Sequence, residues 1–291
     1  MHCFLMLLLM FGGVLHALET EPPAVVLPAN WIFSGVVENE QGERYGYYFK
    51  WQQDAQKAEV ESALFDAQHN KVLIQAEDKG EVHDTSNINW HVGDAFLRFN
   101  TINDTWIFGI KNAKKQGFNF KVDLLTASST PSEVLKLSSY LSMQVRQTEH
   151  LNGQIQLAPE KDEFVTAKKA WFRTIWQTST ENASSFSQGV LCQFDDGGGF
   201  YALKTEANNI LQGMLAGGFD AQGAPLLMSQ FLDVNQEDQD GPWHIKAVTP
   251  KLDLTLMNAL QNSSVTAGFV IPSKRGAFCL LSQDVFLKAD A

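Results

Sequence analysis

The chain has 291 residues and a formal net charge of −11, from 33 acidic against 22 basic side chains. Phosphate recognition needs clustered Lys and Arg, and no such run occurs, so the sequence argues against a nucleic-acid partner. The length suits two domains or one large β-structure.

Residues 1–17 read as a secretory signal peptide, with an apolar run too short for a membrane span and Ala17 as a plausible cleavage point. Leu15 before that point and the lack of Lys or Arg ahead of the run depart from the usual pattern. Cys3 lies too early for a lipidation site. The expectation is an exported, periplasmic or secreted protein with no integral membrane segment after cleavage. Residues 18–29 form an irregular leader.

Residues 31–37 and 44–51 flank a polar turn centred on Gln41 and Gly42. Apolar residues alternate on both sides, and aromatic and β-branched types dominate, which predicts a hairpin. Residues 59–66 and 71–76 predict a second strand pair, and 77–94 a polar loop. Strands over 95–101 and 105–111 turn at Asn103 and Asp104. Residues 117–124 alternate with apolar side chains on even numbers, as in a strand with one wet face. Residues 127–152 connect two halves. Ser129 to Glu133 could cap a short helix carrying Val134, Leu135 and Leu137, while Leu141, Met143 and Val145 also fit a strand.

In the second half, 152–157 and 170–177 predict strands. Residues 189–194 and 199–204, around Asp195, Asp196, Gly197 and Gly198, repeat the opening hairpin. Further strands follow over 211–216, 225–232, 243–248, 252–256 and 276–281, with a last apolar stretch at 285–287. Strands this short and numerous predict an all-β protein, a pair of barrels or sandwiches; barrels also remove exposed edges. Signal cleavage leaves Cys192 and Cys279, an even pair that permits one disulfide or two buried thiols. Spacing alone does not decide, but first and last strands meet when a barrel closes, so the bridge is geometrically reasonable.

Four places resemble the lipocalin-like proteins grouped with carotenoid 1,2-hydratase (hydroxyneurosporene synthase), the AttH-like family. Trp31-Ile32-Phe33-Ser34-Gly35 with Gly42 and Tyr45-Gly46-Tyr47 is similar to its opening hairpin. Trp171 to Trp176 resembles its Trp-x-Asp-x-x-Trp strand. Gly213-Met214-Leu215 with Asp220 and Gly223, and Trp243-His244-Ile245 with Pro250 and residues 252–256, resemble its later strands. The resemblance implies two lipocalin-like antiparallel β-barrels packed together, an N-terminal one over 28–140 and a C-terminal one over 150–288. It also implies either a binder of a small apolar or amphipathic, lipid- or terpenoid-like ligand, or a hydratase or isomerase acting on a hydrophobic substrate. No cofactor is implied.

One departure bears on mechanism. Arg173 stands where the family strand carries its carboxylate, and arginine does not exchange a proton near neutral pH. Glu61 and Ser62 stand where the family tends to carry a His. Binding is therefore the first expectation. Trp171, Arg173 and Ile175 share one strand face, and Phe172, Thr174 and Trp176 the other. Arg173 is either a pocket cation for an anionic head group or half of an ion pair at the domain interface, and the cost of desolvation favours the second. Trp31, Tyr47, Trp171 and Arg173 are the candidate ligand-binding residues. Trp31, Phe33, Tyr45, Tyr47 and Phe49 could line a cavity or fill the barrel.

No metal site is expected. His83, Asp84, His91 and Asp94 share a polar loop without a fixed third ligand. Residues 233–241 lack the Gly that a calcium loop needs at its sixth position. Residues 195–199 lack the Lys-Ser/Thr and helix of a phosphate cradle. No Gly-x-Ser-x-Gly or His-Glu-x-x-His occurs, so those hydrolase classes have no support.

Overall fold

The alternation that marks the strands also decides how they stack. The computed structural model describes residues 29–84, 87–124, 134–148, 150–178, 185–226, 228, 232–238, 241–249, 251–256, 260–261, 264–270 and 276–286. The stretch 1–17 read as a signal peptide and the candidate capping sequence 129–133 lie outside them. Every regular element among the described residues is a strand, and every pairing is antiparallel.

The first sheet holds β1 (Ala29–Asn39), β2 (Arg44–Asp54), β3 (Lys57–Asp66), β4 (Lys71–Glu81), β5 (Asn89–Val92), β6 (Ala95–Asn100) and β7 (Thr105–Lys111). It continues with β8 (Gly117–Asp123), β9 (Val134–Lys136), β10 (Leu141–Thr148), β11 (Leu151–Ala158), β12 (Lys161–Ala167) and β13 (Ala170–Gln177). The β11–β12 hairpin fills the gap between β1 and β8. β13 takes the rest of the free edge of β1 and carries β10 and β9. The seam lies between β4 and β5: the Asp94 amide reaches the Asp78 carboxylate at 3.3 Å without a strand ladder. The result is a nearly closed barrel.

The second sheet is a half-barrel of β14 (Ser185–Phe194), β15 (Gly199–Ala207), β16 (Ile210–Phe219), β17 (Pro225–Leu226) and β18 (Leu232–Gln236). It is completed by β19 (Trp243–Ala247), β20 (Leu252–Leu256), β21 (Leu260–Gln261), β22 (Val265–Val270) and β23 (Ala277–Phe286). β23 joins β14, and the two ends of the sheet, β17 and β18, do not pair.

Three differences from the sequence reading have local causes. Residues 151–177, expected to open the second barrel, pair into the first sheet, because β12 and β13 take the free edge of β1 and β11 joins β12 to β8. Residues 134–136 are strand rather than helix, held as an edge on β10. Part of the expected loop 77–94 is strand: β4 runs on to Glu81 opposite the start of β3, with polar residues such as Glu77, Lys79 and Glu81 on its wet face.

Period two gives β1 two jobs. Trp31, Phe33 and Val37 face the barrel interior with Tyr45, Tyr47, Phe49 and Trp51 of β2. There Phe33 stacks on Phe108 with ring centres 4.1 Å apart and meets Phe172 at 4.8 Å. Ile32 and Val36 point outward, with Tyr48, Phe65, Trp171 and Ile175, onto Leu191, Leu203, Phe278 and Leu280 of the second sheet. Each such side chain, fully buried, stabilises by roughly 1.5–3 kcal/mol.

Cys192 and Cys279 are directly opposed on β14 and β23 and form a disulfide. It lies on the concave side of the half-barrel beside Val190, Phe194 and Leu281. The bridge spans 87 residues. The chain-entropy estimate puts its contribution at about 4–5 kcal/mol. Denaturant unfolding with and without reductant should show a loss of this order, and neither thiol should react under denaturing, non-reducing conditions. Two reactive thiols would show the bridge to be absent.

Candidate functional site

The four residues nominated from sequence do not form one site. Trp31 and Tyr47 lie inside the barrel: the Trp31 ring meets Trp90 at 5.3 Å, and the Tyr47 ring meets Phe120 at 4.9 Å. Trp171 and Arg173 lie on the opposite side of the sheet. The register pairs them with Ser34 and Ile32, so they share the outward face of β1. Trp171 donates its indole N–H to the Cys192 carbonyl at 3.2 Å and packs on Tyr201 and Phe219.

Arg173 is not open to a ligand head group. Its Nη2 donates to Asp284 Oδ2 at 2.9 Å, and its Nη1 to Ser282 Oγ at 3.0 Å. Asp284 Oδ1 accepts from Asn30 Nδ2 at 2.9 Å and faces Lys50 Nζ at 3.0 Å. Lys50 also lies 3.6 Å from Glu61, and Ser264 links the two by donating to Glu61 while accepting from Lys50. Arg173 is 1% exposed and Asp284 0%. Two cations and two carboxylates thus cancel between the sheets. Burial pushes the Asp284 carboxyl up, but Lys50 and Arg173 outweigh it and hold it below the usual carboxylate range. Of the two readings of Arg173, pocket cation or ion pair between the units, the geometry fits the ion pair that desolvation favoured: the cation is already paired within the chain.

A second polar group, absent from the sequence reading, sits at one end of the barrel. Glu43 Oε2 and Glu163 Oε2 both contact the Tyr45 hydroxyl, at 3.1 and 2.9 Å. Asn39 Nδ2 donates to the same two oxygens, at 2.8 and 3.1 Å. Asn39 has an N–H for each carboxylate, but Tyr45 has one proton for two contacts. Lys161 holds the other Glu163 oxygen at 3.0 Å. Burial raises the Glu163 carboxyl, yet Lys161, Asn39 and Tyr45 outweigh it and bring it below its usual value. Burial and then the two carboxylates push the Tyr45 phenol well up. The hairpin tips 39–43 and 161–164 border an open cleft of about 540 Å³. The turn residues Asn39 and Glu43 and the aromatic alternation through Tyr45 are visible in sequence. Glu163 is on β12, which is too polar to read as a strand.

Among the described residues, no three of His, Cys, Asp and Glu converge as a metal site would require. No described helix is long and apolar enough to cross a membrane.

Two solved structures share this architecture. An AttH-like protein of Nitrosomonas europaea superposes with a TM-score of 0.60 at 14% identity, covering 90% of this chain and 93% of its own. Kievitone hydratase of Nectria haematococca superposes with a TM-score of 0.64 at 13% identity, covering 93% and 92%. The chain has the AttH-like lipocalin fold. No family model and no curated protein matches the chain. The resemblance read from the sequence is thus borne out in fold. Within this AttH-like fold, position 173 serves the contact between sheets.

That role predicts a stability effect. Arg173→Ala strips a buried carboxylate of one of its cations and should lower the unfolding free energy by about 3–5 kcal/mol. The lowered Asp284 value implies stability that is fully present above the unfolded carboxylate pKa of roughly 4 and lost as pH falls through the lower folded value. Asp284→Asn should therefore be less stable near neutrality and show a flatter acid limb. Denaturant titrations across pH measure both. Unchanged stability in Arg173→Ala would remove the ion pair from this role.

Proposed function

We propose that the chain is an exported lipocalin-like protein that holds a small apolar or amphipathic, lipid- or terpenoid-like molecule in its first barrel. The observation that carries this reading is a pair of buried hydroxyls within an aromatic wall. Tyr47 Oη and Ser62 Oγ belong to residues with 0% exposure, and neither has a hydrogen-bond partner in the protein. A buried hydroxyl left unpaired costs about 1–3 kcal/mol, so each calls for a polar atom from outside the chain. Phe49, Phe108 and Phe120 nearby supply the apolar contact that such ligands need. Rings already stacked across the interior must shift to admit a guest. Export is supported by the apolar leader 1–17 and by a disulfide that suits an oxidising compartment.

Native mass spectrometry of the secreted protein should find a copurified lipid or terpenoid. Trp31, Trp51, Trp90, Trp106 and Trp176 surround the barrel interior, so titration with geraniol should quench the tryptophan fluorescence. A protein free of small molecules, with fluorescence unmoved by geraniol, overturns the reading.

A second reading, a hydratase or isomerase acting on a hydrophobic substrate, is favoured by one arrangement. Tyr45 holds one proton between Glu43 and Glu163 beside a cleft, which places a candidate acid next to two candidate bases. The likeness to kievitone hydratase supports the same class. Under this reading Glu163→Gln removes the addition of one water to an acyclic terpene alkene, read by mass spectrometry. A pure binder forms no such product even as wild type.

A further inference from the structure

The first sheet is split beside Gly35. β13 leaves β1 at the Gly35–Ala170 pair, and β12 joins only at Glu38. Gln193 of β14 reaches into this split from the second sheet. Its Nε2 donates to the Lys169 carbonyl at 3.0 Å, which fixes the other end of the amide as oxygen. That Oε1 lies 2.7 Å from the point where a Cβ on Gly35 would stand. Tyr47, opposite Gly35 on β2, places its Oη 3.3 Å from the same point. Tyr47 is 0% and Gln193 7% exposed, and neither oxygen has a partner in the protein. Gly35 sits in ordinary strand backbone, so glycine here provides room rather than an unusual conformation.

Two such oxygens define what fits between them. Tyr47 offers a proton, and Gln193 Oε1 only accepts one. The complement is an atom that accepts and donates at once. A carboxylate, ether or ketone has no proton for Gln193, and an ammonium, to which Tyr47 Oη could also accept, would bring an unpaired charge into an aromatic interior at high cost. A hydroxyl oxygen carries a proton and a lone pair and no charge.

We propose that the split at Gly35 binds one hydroxyl oxygen, water in the empty protein and the alcohol group of a ligand in the loaded one, held between Tyr47 Oη and Gln193 Oε1. The loaded state rests on the binding reading above and names the group recognised there. Phe108 and Phe120, 6.1 and 4.9 Å from the Tyr47 ring, would receive the apolar body.

The test has two arms. A high-resolution crystal structure of delipidated protein should show one oxygen within hydrogen-bond reach of both side chains. An empty gap, or Tyr47 bonded directly to Gln193, overturns the site. In the second arm, geraniol and the hydrocarbon myrcene, which share an acyclic ten-carbon make-up, are titrated against wild type, Tyr47→Phe and Gly35→Ala. Tyr47→Phe keeps the ring and removes only the oxygen, so it should weaken geraniol about tenfold and leave myrcene unchanged. Gly35→Ala, whose methyl would stand 2.7 Å from Gln193 Oε1 and displace it, should do the same. Equal effects on both probes overturn the alcohol assignment while leaving the binding reading intact. A wild type that binds neither probe, yet holds the crystallographic oxygen, overturns the binding reading and keeps the water site.

Discussion

The association of the two sheets turns on one carboxylate. Asp284, on the last strand of the half-barrel, is fully buried and meets Arg173 from β13, Lys50 from β2 and Asn30 from β1. These three partners come from the first sheet, and Ser187 of β14 adds a longer hydroxyl contact from its own sheet. The apolar side chains around them drive association, but hydrophobic contact is non-directional and tolerates sliding. The charges do not. A one-residue slip of β23 would turn Asp284 to the concave side and leave two cations buried without it. The cluster therefore sets the register between sheets more than it adds net stability, since desolvation consumes much of the attraction in a buried pair.

The same alternation parts residues that are neighbours in sequence. On β13, Phe172 and Trp176 join the aromatic interior, while Trp171, Arg173 and Ile175 join the interface. On β2, Tyr45 and Tyr47 look inward, and Tyr48 and Lys50 outward. A motif such as Trp171 to Trp176 is thus two half-motifs serving two environments. Grouping Trp31 and Tyr47 with Trp171 and Arg173 ignored this, because nothing in the sequence says which strand lies next to β1.

That limit divides what could be read from the sequence from what could not. The opening and repeated hairpins were legible because their signals are local: Gly42 and Gly197 take φ of +83° and +90° at the turns, between clean alternating runs. Sheet membership was not legible for β12 and β13, whose partner β1 is more than a hundred residues away. Nor was the partner of Arg173, since Asp284 lies 111 positions on. The structural ion pair that desolvation favoured at Arg173 is what the fold supplies; its address came only with the register. β12 was missed because Lys161, Asp162 and Glu163 open it, and Glu163 of the acid–base group was missed with it.

The two functional readings converge on one strand. Tyr45 belongs to the proton-sharing group at the barrel end, and Tyr47 lies two residues further in on the same face. Two residues along a strand span roughly 7 Å, about the length of a few carbon–carbon bonds. A molecule whose hydroxyl rests on Tyr47 would lie within reach of the carboxylates around Tyr45. An alcohol is also what the addition of water to an alkene produces. A site that recognises the hydroxyl and a nearby group able to move a proton are the two parts such a reaction needs, and a binder needs only the first. The difference between binder and hydratase therefore narrows to Glu43 and Glu163: whether these carboxylates and the Tyr45 proton between them meet the guest or only close the end of the barrel above it.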